Sequence, residues 1–414
     1  MFQKVGIIGL GYVGLPLAIE FSKVREVVGY DINASRIELL QKGQDNNFEL
    51  SKKDLLNSKI KFTADFNELR DVDFFIVTVP TPLKEGSKDP DLTPLEKATR
   101  DIAGILKKGD IVVYESTVAP GTTRNFCGKL LEDISGLKLN VDFKLGFSPE
   151  RINPGDKNHS LCNVVKVISG SDLEALDLIA NMYQRILGDN IYKASSLEVG
   201  EASKMLENVQ RDVNIALVNE MSMIFDSLGI PTQEVLEAAR TKWNFHNYFP
   251  GLVGGHCIGV DPYYLLDLAN KKNVDLKVIR SARETNENVI NRVIDKINCI
   301  KKDASIGGPL TVNIFGITFK ANCPDLRNSK SYELYEKLLD IEYDVKWHDP
   351  YYRKVSDYTP LADISIISVA HDQYADISDE EIKKVCREGG TIIDFTGIID
   401  RVRVEQLGRK FWAL

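Results

Sequence analysis

Lys4-Val5-Gly6-Ile7-Ile8-Gly9-Leu10-Gly11-Tyr12-Val13-Gly14 begins as a short apolar run and passes directly into a glycine-rich turn. The glycines follow the pattern GxGxxG, and an apolar helical run comes next. Gly9 permits a tight turn, Gly11 lets a pyrophosphate approach the backbone, and Gly14 lets the helix pack against the strand. Because helix N-termini favour bound phosphates, the stretch predicts a strand–turn–helix unit that binds a dinucleotide.

Asp31 ends the next apolar run, about 20 residues after the turn, where a carboxylate can bind the adenosine ribose. Its charge would repel a 2′-phosphate, so NAD is favoured over NADP. Arg36 lies nearby and keeps NADP open, and a glycine turn without any ligand is the structural alternative. The candidate cofactor-binding residues of this segment are Gly9, Gly11, Tyr12, Val13, Gly14, Asp31 and Arg36.

Apolar runs alternate with amphipathic stretches through the first two hundred residues, which predicts a doubly wound α/β sheet. The predicted strands are Val5–Ile8, Val27–Tyr30, Phe74–Val79, Ile111–Tyr114 and Leu145–Ser148. Ligands bind such sheets beyond the carboxyl ends of the strands. Thr78, Pro80 and Thr117 lie at two of those ends and are therefore further cofactor-binding candidates, with simple Pro/Gly turns as the alternative.

A long helix is predicted from Ser195 to Leu228, where apolar residues recur at helical spacing. Ser195 with Glu198 predicts a capping box, and Gly229 with Pro231 predicts the end of the helix. A helix of this length spans roughly 50 Å. It suits a bridge between domains and a dimer surface, while a core helix within one domain remains the alternative.

The α/β alternation returns from about Leu310, with predicted strands at Val312–Phe315, Val345–His348, Ile364–Val369 and Thr391–Phe395. Asp349 ends a strand as Asp31 does, and Asp363 precedes a strand as Asp73 does. Two nucleotide-binding units would suit a dinucleotide and a nucleotide-bearing substrate, although any two α/β domains look similar at this level. The fold prediction is α/β, with two Rossmann-like doubly wound domains joined by a long central helix.

Composition excludes several classes of protein. A chain of 414 residues is expected to form two or three domains. The net charge of −8 argues against broad nucleic-acid binding. Apolar runs stay below the roughly 18 residues of a membrane helix, and Val5–Phe21 lacks the features of a signal peptide. Six scattered cysteines without a CxxC pair are typical of reduced thiols, so we expect a cytoplasmic protein without a metal site.

Cys257 lies in a glycine frame, Gly254-Gly255-His256-Cys257-Ile258-Gly259-Val260-Asp261, which predicts an exposed and closely approachable thiol. His256 is a candidate thiolate partner, and Asp261 either orients a water or forms a turn. The remaining cysteines are interpreted as buried small hydrophobes: Cys127, Cys162, Cys299, Cys323 and Cys386. A dinucleotide with a nucleophilic thiol can take an alcohol through an aldehyde to an acid.

Lys204 and Asn208 are spaced i,i+4 on the long helix, so they share one face and can stabilise an oxyanion. The alternative is a solvated polar face. In a later segment, Gly316–Ser329, Lys320 and Arg327 are candidate phosphate ligands or charges of a surface loop.

Together and in this order, these segments resemble the UDP-glucose/GDP-mannose dehydrogenase family over essentially the whole chain. The matching stretches are Gly9–Gly14, Glu115–Thr122, Ser148-Pro149-Glu150, Lys204-x3-Asn208, Gly254–Asp261 and Gly316–Ser329. The resemblance implies an NAD-binding domain at 1–194, a helical central and dimerisation domain with the cysteine at 195–300, and a UDP-sugar-binding α/β domain at 301–414. It also implies a homodimer or higher homo-oligomer that oxidises a sugar C6 alcohol to a carboxylate, using two NAD per sugar.

The same resemblance implies roles for individual residues. Cys257 would form a thiohemiacetal and then a thioester, and Glu150 would assist hydrolysis of the thioester. The implied catalytic residues are Cys257, Lys204, Asn208, Asp261, Thr117 and Glu150. The implied substrate-binding residues are Glu150, Arg151, Lys204, Asn208, Arg211, Phe249, Gly251, Gly254 and Lys320. Arg327 would lie on the cofactor side.

One segment of the sequence differs from that of relatives acting on UDP-glucose. Those relatives have a segment that resembles Pro-Glu-Phe-Leu-x-Glu, whereas this chain reads Pro149-Glu150-Arg151-Ile152-Asn153-Pro154. This form and Arg211-Asp212 resemble the branch that oxidises UDP-N-acetylhexosamines for surface polysaccharides. We expect UDP-N-acetylglucosamine or UDP-N-acetylgalactosamine, with UDP-N-acetylmannosamine or UDP-glucose as alternatives. A two-electron hydroxyacid dehydrogenase has no use for Cys257, and a scaffold that only binds a cofactor has no need of these reactive residues.

Overall fold

The computed structural model describes residues 2–47, 50–150, 161, 163–352 and 357–414. The chain divides into two compact units, one made of Met1–Glu207 with Tyr263–Asn273 and the other of Asn208–Pro262 with Val274–Leu414. Each unit contains a mostly parallel sheet with helices packed on it, so the α/β prediction is confirmed.

The described part of the first unit contains an eight-stranded sheet in the order β3-β2-β1-β4-β5-β6-β7-β8. Its strands are β1 (Lys4–Ile8), β2 (Glu26–Tyr30), β3 (Ile60–Thr63), β4 (Phe74–Val77), β5 (Ile111–Tyr114), β6 (Lys144–Phe147), β7 (Lys166–Gly170) and β8 (Ile191–Lys193). Its helices are α1 (Gly14–Ser22), α2 (Ala34–Gln41), α3 (Lys52–Asn57), α4 (Thr93–Ala103), α5 (Lys129–Ser135) and α6 (Leu173–Leu187). Only the β6–β7 pair is antiparallel among these strands.

Both faces of this sheet are covered, because alternate strand residues enter different cores. Val5 and Ile7 of β1 pack in one core with Leu15 of α1. Ile8 belongs to a second core, which includes Leu95 of α4. Strands buried on both faces explain the nearly continuous apolar runs of the sequence.

The second unit begins within the long helix α7 (Leu197–Leu228), and its described sheet has the order β10-β9-β11-β12-β13. Its strands are β9 (Thr311–Phe315), β10 (Asp344–His348), β11 (Ala362–Ile367), β12 (Cys386–Asp394) and β13 (Lys410–Ala413). Its other helices are α8 (Thr232–Arg240), α10 (Lys277–Asp303), α11 (Lys330–Asp340), α12 (Asp372–Ala375), α13 (Asp379–Val385) and α14 (Arg401–Gln406), whereas α9 (Asp261–Lys271) belongs to the first unit from Tyr263 onward. No helix within the described residues has the length and apolar character needed to span a bilayer.

The resemblance between the two sheets extends to matching hydrogen bonds. Asp31 accepts the N–H of Leu10 at 2.9 Å, and Asp349 accepts the N–H of Ile317 at 2.8 Å. In both cases a carboxylate after the second strand fixes the turn that follows the first strand. The similar positions of these two aspartates in the sequence therefore reflect the same local geometry.

A second pair of carboxylates repeats in the same way. Asp73 accepts the N–H of Lys4 at 3.1 Å, and Asp363 accepts the N–H of Thr311 at 2.9 Å. Asp73 directly precedes β4 and Asp363 is the second residue of β11, and each of these strands pairs with the first strand of its own sheet.

The predicted capping box at the start of α7 is wrong by one residue. The helix begins at Leu197, and the hydroxyl of Ser196 accepts the N–H of Val199 at 3.2 Å. Glu198 instead forms a salt bridge with Arg124 at 2.8 Å. Because Ser195 and Ser196 are adjacent, the sequence offers two equivalent caps, and the structure uses Ser196.

The end of α7 follows the prediction. Gly229 has a φ of +68°, and Ile230 donates to the carbonyl of Phe225 at 2.9 Å, as expected for a glycine-terminated helix. The apolar stripe of the helix changes environment along its length. Met205 and Val209 are buried, whereas the later members are exposed: Leu217, Met221, Ile224 and Leu228. The first half of the stripe is therefore core, and the second half faces outward.

Candidate active site

The glycine turn has the geometry of a phosphate cradle. Gly9 has a φ of +96°, and a Cβ on Gly14 would lie 1.9 Å from the carbonyl oxygen of Gly9, so neither position tolerates a side chain. A Cβ on Gly11 would meet no described atom within 4 Å, which leaves its backbone open to a ligand. Thr78 fixes the turn by donating to the carbonyl of Gly9 at 2.7 Å. Of the other predicted cofactor-binding residues, Tyr12 and Val13 are half-buried and Pro80 is exposed.

Arg36 is turned inward beneath this cradle. Its guanidinium is buried, donates to the carbonyl of Leu10 at 2.9 and 3.1 Å, and forms a salt bridge with Asp45 at 2.7 Å. Asp31 accepts N–H groups from Leu10 and Asn33. Arg36, which left NADP as an alternative cofactor in the sequence analysis, is thus bonded to groups of the protein itself. The glycine turn and the Asp31 carboxylate fit NAD.

The loops after β4 and β5 are joined to each other and to α7. Thr81 donates to the carbonyl of Thr117 at 2.7 Å, which links the two strand ends. The buried carboxylate of Glu201 accepts the N–H groups of Gly121 and Thr123 at 2.5 and 2.7 Å. Glu201 was not identified from the sequence, and it fixes the loop that carries Thr117.

Lys204 is buried rather than solvated, and its amine donates to the backbone carbonyl of Glu150 at 2.8 Å. The Glu150 carboxylate in turn accepts from the amine of Lys166 at 2.7 Å, which also contacts Glu115 at 2.9 Å. Burial raises the pKa of Glu115 to about 7, against the opposing charge of Lys166. Neither Lys166 nor Glu115 was identified as a site residue from the sequence.

The second unit carries the remaining polar residues of the helix. Asn208 is fully buried, donates to the carboxylate of Asp261, and accepts from Arg211. The alternative of a solvated polar face is therefore wrong, and the predicted stabilisation of an oxyanion stays a prediction. A sequence signal was present, since polar residues recur at helical spacing at Glu201, Lys204, Asn208 and Asp212, all of them buried.

The cysteine loop has the exposed thiol that its glycines predict. Gly255 has a φ of +82°, and its N–H donates to the carbonyl of Asn328 at 3.0 Å. A Cβ on Gly254 would lie 2.5 Å from the same oxygen, so the two backbones touch only because glycine is present. The carbonyl of Cys257 accepts the N–H of Asp261 at 2.9 Å, at the start of α9.

The structure also brings His256 and the segment after β9 together. His256 Nε2 lies 3.1 Å from the carboxylate of Asp325, which forms an ion pair with Arg327 at 2.5 Å. Burial raises the pKa of Asp325, but the hydrogen bonds from His256 and Arg327 outweigh it and hold the pKa well below its ordinary value. Asp325 was not predicted as a site residue, and it joins the two motifs.

The implied substrate-binding residues Gly251 and Phe249 each contact a side chain from another segment. Gly251 exchanges two hydrogen bonds with the Asn219 side chain, at 2.8 and 3.1 Å. The guanidinium of Arg240 lies 4.1 Å from the ring centre of Phe249, which remains about half exposed. Lys320 is half-buried in the segment after β9.

Three of the four cysteines that were predicted to be buried and that the structure describes are buried. Cys127, Cys323 and Cys386 are buried as predicted, but Cys299 is exposed, because it lies on the solvent side of α10. Arg151 and Cys162 lie outside the described residues. Within the part of the chain that the structure describes, no group of three or more His, Cys, Asp or Glu side chains is arranged to hold a metal ion.

Three segments match the domains of one protein family. Residues 3–187 match the NAD binding domain of the UDP-glucose/GDP-mannose dehydrogenase family, residues 198–288 its central domain, and residues 313–401 its UDP binding domain. Together they span most of the chain in the order that the sequence motifs predict.

Individual proteins are similar over nearly the full length. The chain is 44% identical over 412 residues to the UDP-N-acetyl-D-glucosamine 6-dehydrogenase of Pseudomonas aeruginosa, covering 96% of this chain and 97% of that protein. It is 41% identical over 430 residues to Protein CapL of Staphylococcus aureus, with both chains fully covered. Among solved structures, the UDP-D-ManNAc dehydrogenase of Pyrococcus horikoshii superposes with a TM-score of 0.89 at 32% identity, covering 99% of each chain.

Proposed function

The chain belongs to the UDP-glucose/GDP-mannose dehydrogenase family and is an NAD-dependent UDP-sugar 6-dehydrogenase, and we propose that it oxidises a UDP-N-acetylhexosamine at C6 through a covalent bond to Cys257. The observation that carries the mechanism is the exposed Cys257, which lies in a glycine loop whose Gly255 N–H donates to the carbonyl of Asn328. The sugar is N-acetylglucosamine or N-acetylgalactosamine. The 44% identity to a UDP-N-acetyl-D-glucosamine enzyme, against 32% to a UDP-D-ManNAc enzyme, supports this choice over the manno isomer.

When bound, NAD would supply the hydride acceptor for the two oxidations. The chain contributes the site that would hold it: the open backbone of Gly11 would face the pyrophosphate, and Asp31 would hydrogen-bond to the adenosine ribose. Arg36 supports the turn from below. We assign Arg327 to the cofactor side as well.

Cys257 retains the substrate between the two oxidations. Its thiolate adds to the C6 aldehyde to give a thiohemiacetal, whose oxidation leaves a thioester. Water then attacks the thioester carbon: the new C–O bond forms, the C–S bond breaks, and the thiolate of Cys257 leaves. Glu150 accepts the proton of the attacking water. Covalent retention prevents loss of the reactive aldehyde.

The buried polar residues of α7 serve the charged intermediates. Lys204 supplies a cation and Asn208 an amide donor, which stabilise the oxyanion of each tetrahedral intermediate. Asp261, which accepts from Asn208, and Thr117 position water or relay protons. Substrate contacts are assigned to a wider set: Glu150, Arg151, Arg211, Phe249, Gly251, Gly254 and Lys320.

The domain division at 1–194, 195–300 and 301–414 stays a prediction, as does the homo-oligomer. The exposed stripe of α7 from Leu217 to Leu228 supports contact with a second copy of the chain, because contiguous exposed apolar surface is typical of interfaces. A role in surface-polysaccharide synthesis in the cytoplasm is part of the same proposal.

The test is a substrate panel read by counting NADH at completion. UDP-N-acetylglucosamine, UDP-N-acetylgalactosamine, UDP-N-acetylmannosamine and UDP-glucose are compared at equal concentration. We expect two NADH per sugar, and the highest kcat/KM for a gluco or galacto N-acetyl sugar. One NADH per sugar would overturn the covalent four-electron scheme, whereas a preference for the manno sugar would overturn only the choice of substrate.

A further inference from the structure

Lys166 forms a buried ion cluster beside Glu150 that the proposed chemistry does not itself require. Its amine, at the first residue of β7, lies 2.9 Å from the Glu115 carboxylate and 2.7 Å from that of Glu150. All three side chains are buried. Because burying charges is expensive and an apolar replacement is often as stable, stability alone is a weak explanation for such a cluster.

Glu115 forms the rear of the cluster. It accepts a hydrogen bond from the hydroxyl of Tyr183 on α6, whose ring centre lies 5.6 Å from the Lys166 amine. Burial raises the pKa of Glu115 to about 7. Burial lowers the pKa of Lys166, but the two carboxylates outweigh it, so that its pKa is raised and the amine carries its charge.

Glu150 forms the front of the cluster and is held at two points. Lys204 donates to its backbone carbonyl at 2.8 Å, and Lys166 donates to its carboxylate. A cation at this distance favours the ionised form of a carboxylate and fixes its direction. The Lys166 amine thus faces the Glu150 carboxylate, and the Glu115 carboxylate also contacts that amine.

We propose that Lys166 and Glu115 are positioning residues for Glu150: Lys166 holds the Glu150 carboxylate ionised and aimed, and Glu115 holds Lys166 in place. The proposal rests on the proposed function, in which Glu150 accepts the proton of the water that hydrolyses the thioester. The pair acts through Glu150 and does not touch the substrate. It therefore affects the hydrolytic step and leaves the two oxidations intact.

The experiment separates these steps in rapid-mixing kinetics of the full chain with NAD and UDP-N-acetylglucosamine. In Lys166→Met and Glu115→Gln we expect the initial burst, approaching two NADH per active site, to be retained. Steady-state turnover falls about 10- to 100-fold, as for a misplaced catalytic group. Mass spectrometry then finds the acyl adduct on the Cys257 peptide. In Lys166→Met the acid limb of the turnover profile moves to higher pH, because Glu150 loses its cation.

Lys144→Met is the matched control. This amine also lies between two carboxylates, 2.7 Å from Asp172 and 2.6 Å from Glu174, but Lys144 is the first residue of β6, whereas Glu150 follows the other end of that strand. We expect its burst, turnover and pH profile to match those of the unmodified chain.

Equal slowing of burst and turnover in Glu115→Gln, or unchanged turnover in both cluster variants, overturns the proposal. If Lys166→Met does not fold, the near-isosteric Glu115→Gln decides alone. Glu150→Gln distinguishes the two levels of inference. If Glu150→Gln accumulates the thioester but the cluster variants hydrolyse it normally, only the positioning role is contradicted. If Glu150→Gln does not accumulate the thioester, the proposed role of Glu150 itself is contradicted.

Discussion

The side-chain amide of Asn208 donates a hydrogen bond to the carboxylate of Asp261, and both side chains are buried. Asp261→Asn removes the proton-accepting charge but keeps a carbonyl oxygen for this bond. We expect kcat to fall about 10²- to 10⁴-fold, the range of a lost general acid–base group, while stability changes little. Asp261→Ala leaves a buried donor unpaired and should cost about 1–3 kcal/mol of unfolding free energy in addition.

Steady-state kinetics and urea unfolding of both variants check this prediction. Asp267→Asn is the control, since Asp267 lies on the same helix and pairs with Lys271. Normal kcat in Asp261→Asn would show that the carboxylate has no part in the chemistry.

Cys257→Ser should abolish turnover and keep NAD binding, because a hydroxyl cannot replace the thiolate as the nucleophile. Cys299→Ser provides a matched control, as Cys257 and Cys299 are the exposed cysteines among the described residues. NADH formation and NAD titration, followed by protein fluorescence, are measured on both variants. Turnover of Cys257→Ser to the acid at a rate near that of the unmodified chain contradicts covalent catalysis.

The cofactor preference depends on Asp31 and on the inward orientation of Arg36. We expect NADP to be a poor substitute, since Asp31 opposes a 2′-phosphate and Arg36 is bonded to Leu10 and Asp45. The ratio of kcat/KM for NAD to that for NADP should exceed about 100, the cost of roughly two poorly placed interactions. Comparable values for the two cofactors would contradict this assignment.

The sequence predicted the parts of the structure that depend on local chemistry. GxGxxG followed by Asp31 specifies a turn and its partner, and the same relation appears with Asp349 in the second unit. The predicted strands of the first unit were recognised because burial on both faces makes them continuously apolar. The strands β3, β7, β8 and β13 were not predicted. The thiol of Cys257 was recognised because its glycines exclude a packed helix or strand.

Contacts between residues distant in sequence were not predictable in the same way. Lys166 and Glu115 lie 51 positions apart in the sequence, and neither residue belongs to a local sequence pattern that predicts a buried ion pair. Glu201 did carry a signal, because it continues the polar helical face of Lys204. The wrong cap at Ser195 arose from a repeated serine, of which the structure uses Ser196.

Asp349 should make the stability of the second unit depend on pH. Burial raises its pKa, but the hydrogen bonds from His371 and the backbone amides outweigh burial and hold the pKa at about 2. An acid whose pKa is lower in the folded chain stabilises it above the unfolded pKa of about 4, and that contribution disappears as the pH falls through about 2.

We therefore expect Asp349→Asn to lower the free energy of unfolding by about 2 kcal/mol at pH 7, with the deficit shrinking between about pH 4 and pH 2. Urea unfolding across this range measures it. Asp372→Asn, at an exposed position in the same unit, is the control. A deficit that is independent of pH contradicts the electrostatic origin.

The exposed half of α7 should mediate self-association. Leu217, Met221, Ile224 and Leu228 are spaced so that they lie on one face of the helix, and each is at least 40% exposed. Leu217→Glu with Ile224→Glu places two charges within this stripe, where a partner copy would have to bury them unpaired. We expect the double variant to be monomeric in light scattering at concentrations where the unmodified chain is a dimer or larger. Val402→Glu, at an equally exposed apolar residue of α14, should not change the oligomeric state. An unchanged mass for the double variant would place the subunit contact elsewhere, because two buried glutamates in a helical interface are not tolerated without loss of affinity.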